Sequence, residues 1–230
     1  MKIFAALHGQ TDIDAEGRLQ SVSDNPLNDI GRAQALEIAK AVASSGIEVI
    51  MSSPESRSTE TAEIIAEHLG IDDSKVAKGV KLNERDYGDL EGKLISEVDI
   101  FALSCWEINA SPPNGEEIRD TAVRVMTYMT DVVEIFKGMT ILLIVPGNVL
   151  RTLFWYFEGL PDYNKDPFFK YDFATLYEFD TDKMPQETMD FDALISKLDP
   201  EGKAGKIHRD AVLSQSEIDS LINEMGITLD

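Results

Sequence analysis

A chain of 230 residues with 43% hydrophobic content is long enough for one sizeable α/β domain and an appendage, and its formal net charge of −21 sets it against nucleic acid and anionic membrane surfaces. No apolar run approaches the ~20 residues of a bilayer span, and Met1-Lys2-Ile3 opens no secretory leader pattern. Cys105 is the lone cysteine, which excludes an intrachain disulfide, so a cytoplasmic protein is expected.

Apolar runs alternate with helical patterns along most of the chain, the signal of βαβ units around a parallel sheet. Lys2–Leu7 is predicted as the first strand. Ala35, Ile38, Ala39 and Val42 recur at helical spacing and predict a helix over 30–42. Residues 48–51 form a short strand ending at Ser52-Ser53-Pro54. Thr59 to Leu69 reads as a helix stopped by Gly70, and Val76 to Leu82 as a weakly marked strand. The clearest helix runs from Glu116 to Phe136, with Ile118, Ala122, Val125, Met126, Met129, Val133 and Phe136 on one face. Thr140–Val145 is a continuous apolar strand, Leu150 to Phe157 begins another helix, and Leu176 to Phe179 is a late strand.

Composition changes near Asp180, which predicts three parts: a domain over 1–180, an acidic linker over 181–212, and a terminal helix over 213–230. In the linker, Phe191, Leu194, Ile195 and Leu198 give one short amphipathic helix, halted before Pro200. In the last part, Ser214 and Glu217 form a capping box, and Leu213 with Ile218 a hydrophobic staple. Ile218, Leu221, Ile222 and Met225 make a narrow apolar stripe. A helix this short needs a surface to cover that stripe.

The stretch Leu7-His8-Gly9-Gln10-Thr11, placed after the first strand, resembles the opening signature of the histidine phosphatase superfamily, which includes the cofactor-dependent phosphoglycerate mutases. Further segments are similar to that family in order: Arg18-Leu19-Gln20, Pro26-Leu27-Asn28, Gly31-Arg32-Ala33-Gln34, the run from Ser52 to Ala62 around Arg57, Leu82-Asn83-Glu84 with Gly88 and Glu91-Gly92, Pro113 to Glu117, and Val145 to Arg151. The resemblance covers roughly residues 1–180. It implies a three-layer α/β sandwich with a mainly parallel sheet. It also implies phosphoryl transfer through a phosphohistidine, with no metal and no cofactor. The three histidines are themselves too scattered in sequence to mark a metal site.

Carried over residue by residue, the resemblance makes His8 the nucleophile and Glu84 the proton donor. Arg57, Thr11 and Asn148 become phosphate-binding groups. Three positions depart from the pattern: Leu7 stands for an arginine, Pro146 for a second histidine, and Asp14 for a donating asparagine. A carboxylate cannot donate when ionised, and it repels a dianion. Losing one oxyanion donor costs ~10²–10³ in rate, so these changes together cost at least ~10⁴. Arg85 and Lys93 are the candidate compensating cations.

The expectation is a phosphoglycerate mutase-like protein with weak or lost phosphatase activity and a signalling or docking role. The alternatives are an active phosphatase or phosphomutase on a small phosphate ester, and a binding module for a less charged ligand. Leu213 to Ile222 is similar to the peptide of flagellar motor switch proteins that binds a phosphorylated response regulator. That likeness implies a bacterial response regulator as partner, with Leu213, Ile218, Leu221 and Ile222 in contact. Docking on the chain's own domain or in a homodimer is the other reading of the same stripe.

Overall fold

The computed structural model describes residues 1–162, 171–185 and 191–201. Five strands form one sheet: β1 (Lys2–Leu7), β2 (Val49–Ser52), β3 (Val76–Lys78), β4 (Thr140–Val145) and β5 (Tyr177–Asp180). The spatial order is β3-β2-β4-β1-β5. The first four strands run parallel, with Ala5 opposite Leu143 and Met51 opposite Leu143 on its other side, and β5 joins β1 antiparallel. This is the expected α/β architecture with a mainly parallel sheet.

Side-chain alternation along the strands decides the layers. Ile3, Ala5, Leu7, Val49, Met51, Ile141, Leu143 and Val145 face a core built with α5 (Ile118–Ile135) and α6 (Gly147–Glu158). Phe4, Ala6, Ile50, Leu142 and Ile144 face the opposite core, closed by α2 (Asp29–Val42) and α3 (Ser56–Leu69). Both faces of the sheet are covered, as continuous apolar strands require. The α5 face is broader than the periodicity implied. Val132 is fully buried, while Val133 is partly exposed and packs against the core.

Three elements differ from the sequence reading. Thr11 caps a single-turn helix α1 (Asp12–Ala15), too short to leave a periodic signal. The strand expected from Val76 stops at Lys78 and continues as a 3-10 turn over Val80–Leu82. A five-residue helix α4 (Ile100–Ser104) sits in a stretch otherwise made of turns. The short helix α7 (Phe191–Leu198) forms where its pattern predicted. Leu194, Ile195 and Leu198 lie buried in the same core as α5.

Candidate active site at the carboxyl ends of the strands

Parallel strands deliver their loops to one end of the sheet. His8 follows β1 there, and its backbone N–H bonds to the Val145 carbonyl at 3.3 Å. Ser53 to Arg57 follow β2, Pro146 to Asn148 follow β4, and Glu84 follows the turn after β3. The loop carrying His8 is pinned against α2 and α3. Gly9 N–H donates to Thr61 Oγ1 at 2.9 Å. A Cβ on Gly9 would stand 2.3 Å from the Gly31 carbonyl oxygen, and one on Gly31 2.2 Å from the Gln10 carbonyl oxygen, so both positions require glycine.

His8 is buried, and its Nδ1 lies 2.8 Å from the Gly9 carbonyl oxygen. A carbonyl only accepts, so Nδ1 carries the proton and Nε2 keeps its lone pair in the neutral ring. Burial lowers the His8 pKa, and the Arg57 guanidinium adds to that, against the opposing pull of Asp14 and Glu55. Both effects favour the neutral ring with its Nε2 lone pair free, the form a nucleophilic imidazole needs.

Glu84 is also buried, and burial raises its pKa, with Glu55 pushing the same way. Its carboxyl accepts from Arg85 N–H at 2.7 Å and from Asn148 Nδ2 at 3.1 Å. The second Asn148 amide hydrogen goes to the Tyr87 hydroxyl at 2.8 Å. Burial pushes the Tyr87 pKa up to about 12. A carboxyl biased toward its protonated form and a neutral imidazole are the pair needed for acid-assisted phosphoryl transfer.

His8 and Glu84 open onto one cavity of about 160 Å³. Its polar wall also holds Asp14, Arg18, Gln20 and Tyr87, and its apolar wall Leu7, Leu19, Ile95 and Phe173. The Phe173 ring lies 6.3 Å from the imidazole, centroid to centroid. Of the residues singled out in the sequence, the fold thus brings Leu7, His8, Asp14 and Glu84 to a common cavity.

The other four residues of the expected phosphate site, Thr11, Asn148, Pro146 and Arg57, are buried and are not among its lining residues. Thr11 is fully buried. Its N–H and hydroxyl both reach Asp14 Oδ2, at 2.8 and 2.9 Å, and its hydroxyl accepts from Asp14 N–H. Asn148 spends its side chain on Glu84 and Tyr87. Pro146 is buried as the N-cap of α6. Arg57 is fully buried, with Nη1 on the Ser23 carbonyl and Nη2 on the Ser21 carbonyl, each at 3.1 Å.

Neither candidate compensating cation reaches the cavity. Arg85 is buried against the carbonyls of Glu116, Leu103 and Ala110, because a buried guanidinium must satisfy its fork of donors. Lys93 is exposed. The cation in the wall is Arg18, tied to Glu16 at 2.7 Å and to the Gly92 carbonyl at 2.9 Å. Arg18 opens the family-like segment Arg18-Leu19-Gln20, but its place in the wall also rests on a bridge between Arg18 and Leu94, a contact distant in sequence. Among the described residues, no group of three His, Cys, Asp or Glu side chains is placed to hold a metal. No described helix is long and apolar enough to cross a membrane. Leu213, Ile218, Leu221 and Ile222 lie outside the described residues.

The sequence profile of the histidine phosphatase superfamily (branch 1) matches residues 3–189. The 2,3-bisphosphoglycerate-dependent phosphoglycerate mutase of Bartonella tribocorum is 32% identical over 163 residues, spanning 66% of this chain and 79% of that protein. The phosphoglycerate mutase of Schizosaccharomyces pombe is 32% identical over 166 residues, 66% of this chain and 77% of that one. Among solved structures, Bacillus stearothermophilus YhfR superposes with a TM-score of 0.67 at 28% identity, over 77% of this chain and 89% of that chain. A mycobacterial glucosyl-3-phosphoglycerate phosphatase superposes with a TM-score of 0.66 at 24% identity, over 77% and 91%, a likeness of fold.

Proposed function

We propose, for a chain that belongs to the histidine phosphatase superfamily (branch 1), that phosphoryl transfer is weak or lost while the fold is kept for a signalling or docking role. One observation carries this reading. The cavity beside His8 is walled by Leu7, Leu19, Ile95 and Phe173 and by the carboxylate of Asp14, with Arg18 as its cation. A transferring phosphoryl group spreads negative charge over its oxygens and needs converging cations and N–H donors. Here Thr11 and Asn148 spend their side-chain donors on protein acceptors, and Arg57 places Nη1 and Nη2 on backbone carbonyls. A ligand with little charge suits such walls better than a dianion does.

The test is turnover of a generic aryl phosphate by the wild type, His8→Ala and the double variant Leu7→Arg/Pro146→His. The expected wild-type rate lies at least ~10⁴ below that of a family member with the full set of donors, with a gain in the double variant. Robust wild-type turnover that disappears in His8→Ala overturns the proposal.

That outcome defines the second reading, an active phosphatase or phosphomutase on a small ester. The tautomer of His8 and the raised pKa of Glu84 favour it, because they leave nucleophile and acid intact.

The docking role rests on the capped, apolar-striped segment 213–230 and its likeness to response-regulator-binding peptides. A fluorescent peptide covering 206–230 is expected to bind a bacterial response regulator more tightly with a phosphate mimic present. Absence of binding, together with hydrogen-exchange protection of the segment in the isolated protein, points to docking on the chain itself or in a homodimer.

A further inference from the structure

The geometry points to Glu55 as a specificity-determining residue, an internal anion standing at Arg57 where a substrate phosphate would otherwise be met. The inference rests on reading the His8 cavity as a phosphate site with a weakened cradle. Glu55 occupies the N-cap of α3, yet its side chain makes no capping hydrogen bond to that helix. The carboxylate turns instead to Arg57 and to the backbone of Glu84. Its Oε1 lies 3.6 Å from Arg57 Nη2 and accepts from Glu84 N–H at 2.7 Å.

Arg57 is thereby enclosed on three sides by protein acceptors: the Glu55 carboxylate and the carbonyls of Ser21 and Ser23. The Ser21–Ser23 loop is itself fixed from behind. Glu91 accepts from Ser21 N–H at 2.9 Å and from both serine hydroxyls. Two atoms of the pair lie buried without a hydrogen-bond partner among the described residues, Arg57 Nε and Glu55 Oε2. The arginine's charge is answered by a carboxylate, so an incoming dianion meets Arg57 already neutralised and meets Glu55 as a like charge.

This assigns Glu55 two effects. It disfavours doubly charged phosphate at the retained arginine, and it ties the loop bearing the acid Glu84 to the arginine segment through one hydrogen bond. Glutamine in its place separates the two, because its side-chain carbonyl still accepts from Glu84 N–H while the negative charge is gone.

The experiment titrates the full chain with inorganic phosphate and with orthovanadate by calorimetry. Wild type, Glu55→Gln, Glu55→Ser, Glu55→Asp and Glu55→Gln/Arg57→Ala are compared, with folding checked by thermal melts. Glu55→Gln is expected to bind about tenfold more tightly than wild type. Glu55→Ser carries the same expectation as a second neutral variant. Glu55→Asp keeps the charge and the weak affinity, and removing Arg57 abolishes the gain. Unchanged or weaker binding in the folded neutral variants overturns the inference, as does a gain that survives the loss of Arg57 or appears in Glu55→Asp. Because binding alone is read, robust His8-dependent turnover by the wild type removes the impaired-catalysis reading and leaves this comparison intact.

Discussion

The two groups best placed for chemistry, His8 and Glu84, are perturbed by the same cause, burial, in opposite directions along the pH axis. For Glu84 the folded pKa lies above its ordinary value of 4.5, so the native state holds a proton that the unfolded chain has released. Its contribution to stability is therefore lost as pH rises from about 4.5 through the raised value. For His8 the folded pKa lies below 6.5, so the unfolded chain takes up the proton first, and stability falls as pH drops below 6.5. Glu84→Gln mimics the protonated acid and keeps acceptors for Arg85 N–H and Asn148 Nδ2. Its expected effect is a melting temperature raised at pH 8 and nearly unchanged at pH 5, checked by calorimetry at the two values. A loss of stability at pH 8 contradicts the assignment of Glu84 as a buried, proton-favouring carboxyl.

At the scale of elements, periodicity and continuous apolar runs mark the long helices and the strands other than β3 to within about three residues, because both cores are built from them, while the strand expected from Val76 to Leu82 ends at Lys78. Lys2–Leu7 and Thr140–Val145 occur as expected, and the helix expected over 30–42 extends by one residue to begin at Asp29. The short elements were not legible. A single turn such as α1 is specified by the Thr11–Asp14 capping box, and the turns between Val80 and Glu97 by contacts distant in sequence. The segment after Asp180 reads by composition as an acidic linker and by apolar spacing as one short amphipathic helix, with nothing in the sequence to say what that helix packs on. Composition counts apolar residues and not their placement, and α7 aligns Leu194, Ile195 and Leu198 onto the core. Leu198→Ala is expected to destabilise the fold by about 2–4 kcal/mol, as a core truncation does. Denaturant unfolding reads this directly. A change under about 0.5 kcal/mol, the size usual for surface substitutions, would return α7 to the status of an undocked linker helix.

At the scale of the whole molecule, a net charge of −21 surrounds a cavity whose wall has one arginine and one aspartate. The sequence motifs of the candidate site gather at one end of the sheet, because the topology brings the loops after β1, β2, β3 and β4 there. What the motifs could not disclose is how each retained donor is spent. Thr11 caps α1, Asn148 holds Glu84, and Arg57 is enclosed by carbonyls and Glu55. The Thr11–Asp14 box and the Arg57–Glu55 pair are local, but the partners of Asn148 and the carbonyls at Arg57 come from other loops, and residue identity alone carries no trace of those. On the proposed reading, the enclosure of Arg57, with Leu7 and Pro146 at positions where the family resemblance implies cationic or donating groups, leaves a phosphoryl dianion poorly held. Calorimetric titration of wild type with orthovanadate at low ionic strength reads that holding most directly. The expected dissociation constant is about 1 mM or weaker. Binding at about 1 μM that is lost in His8→Ala would contradict it.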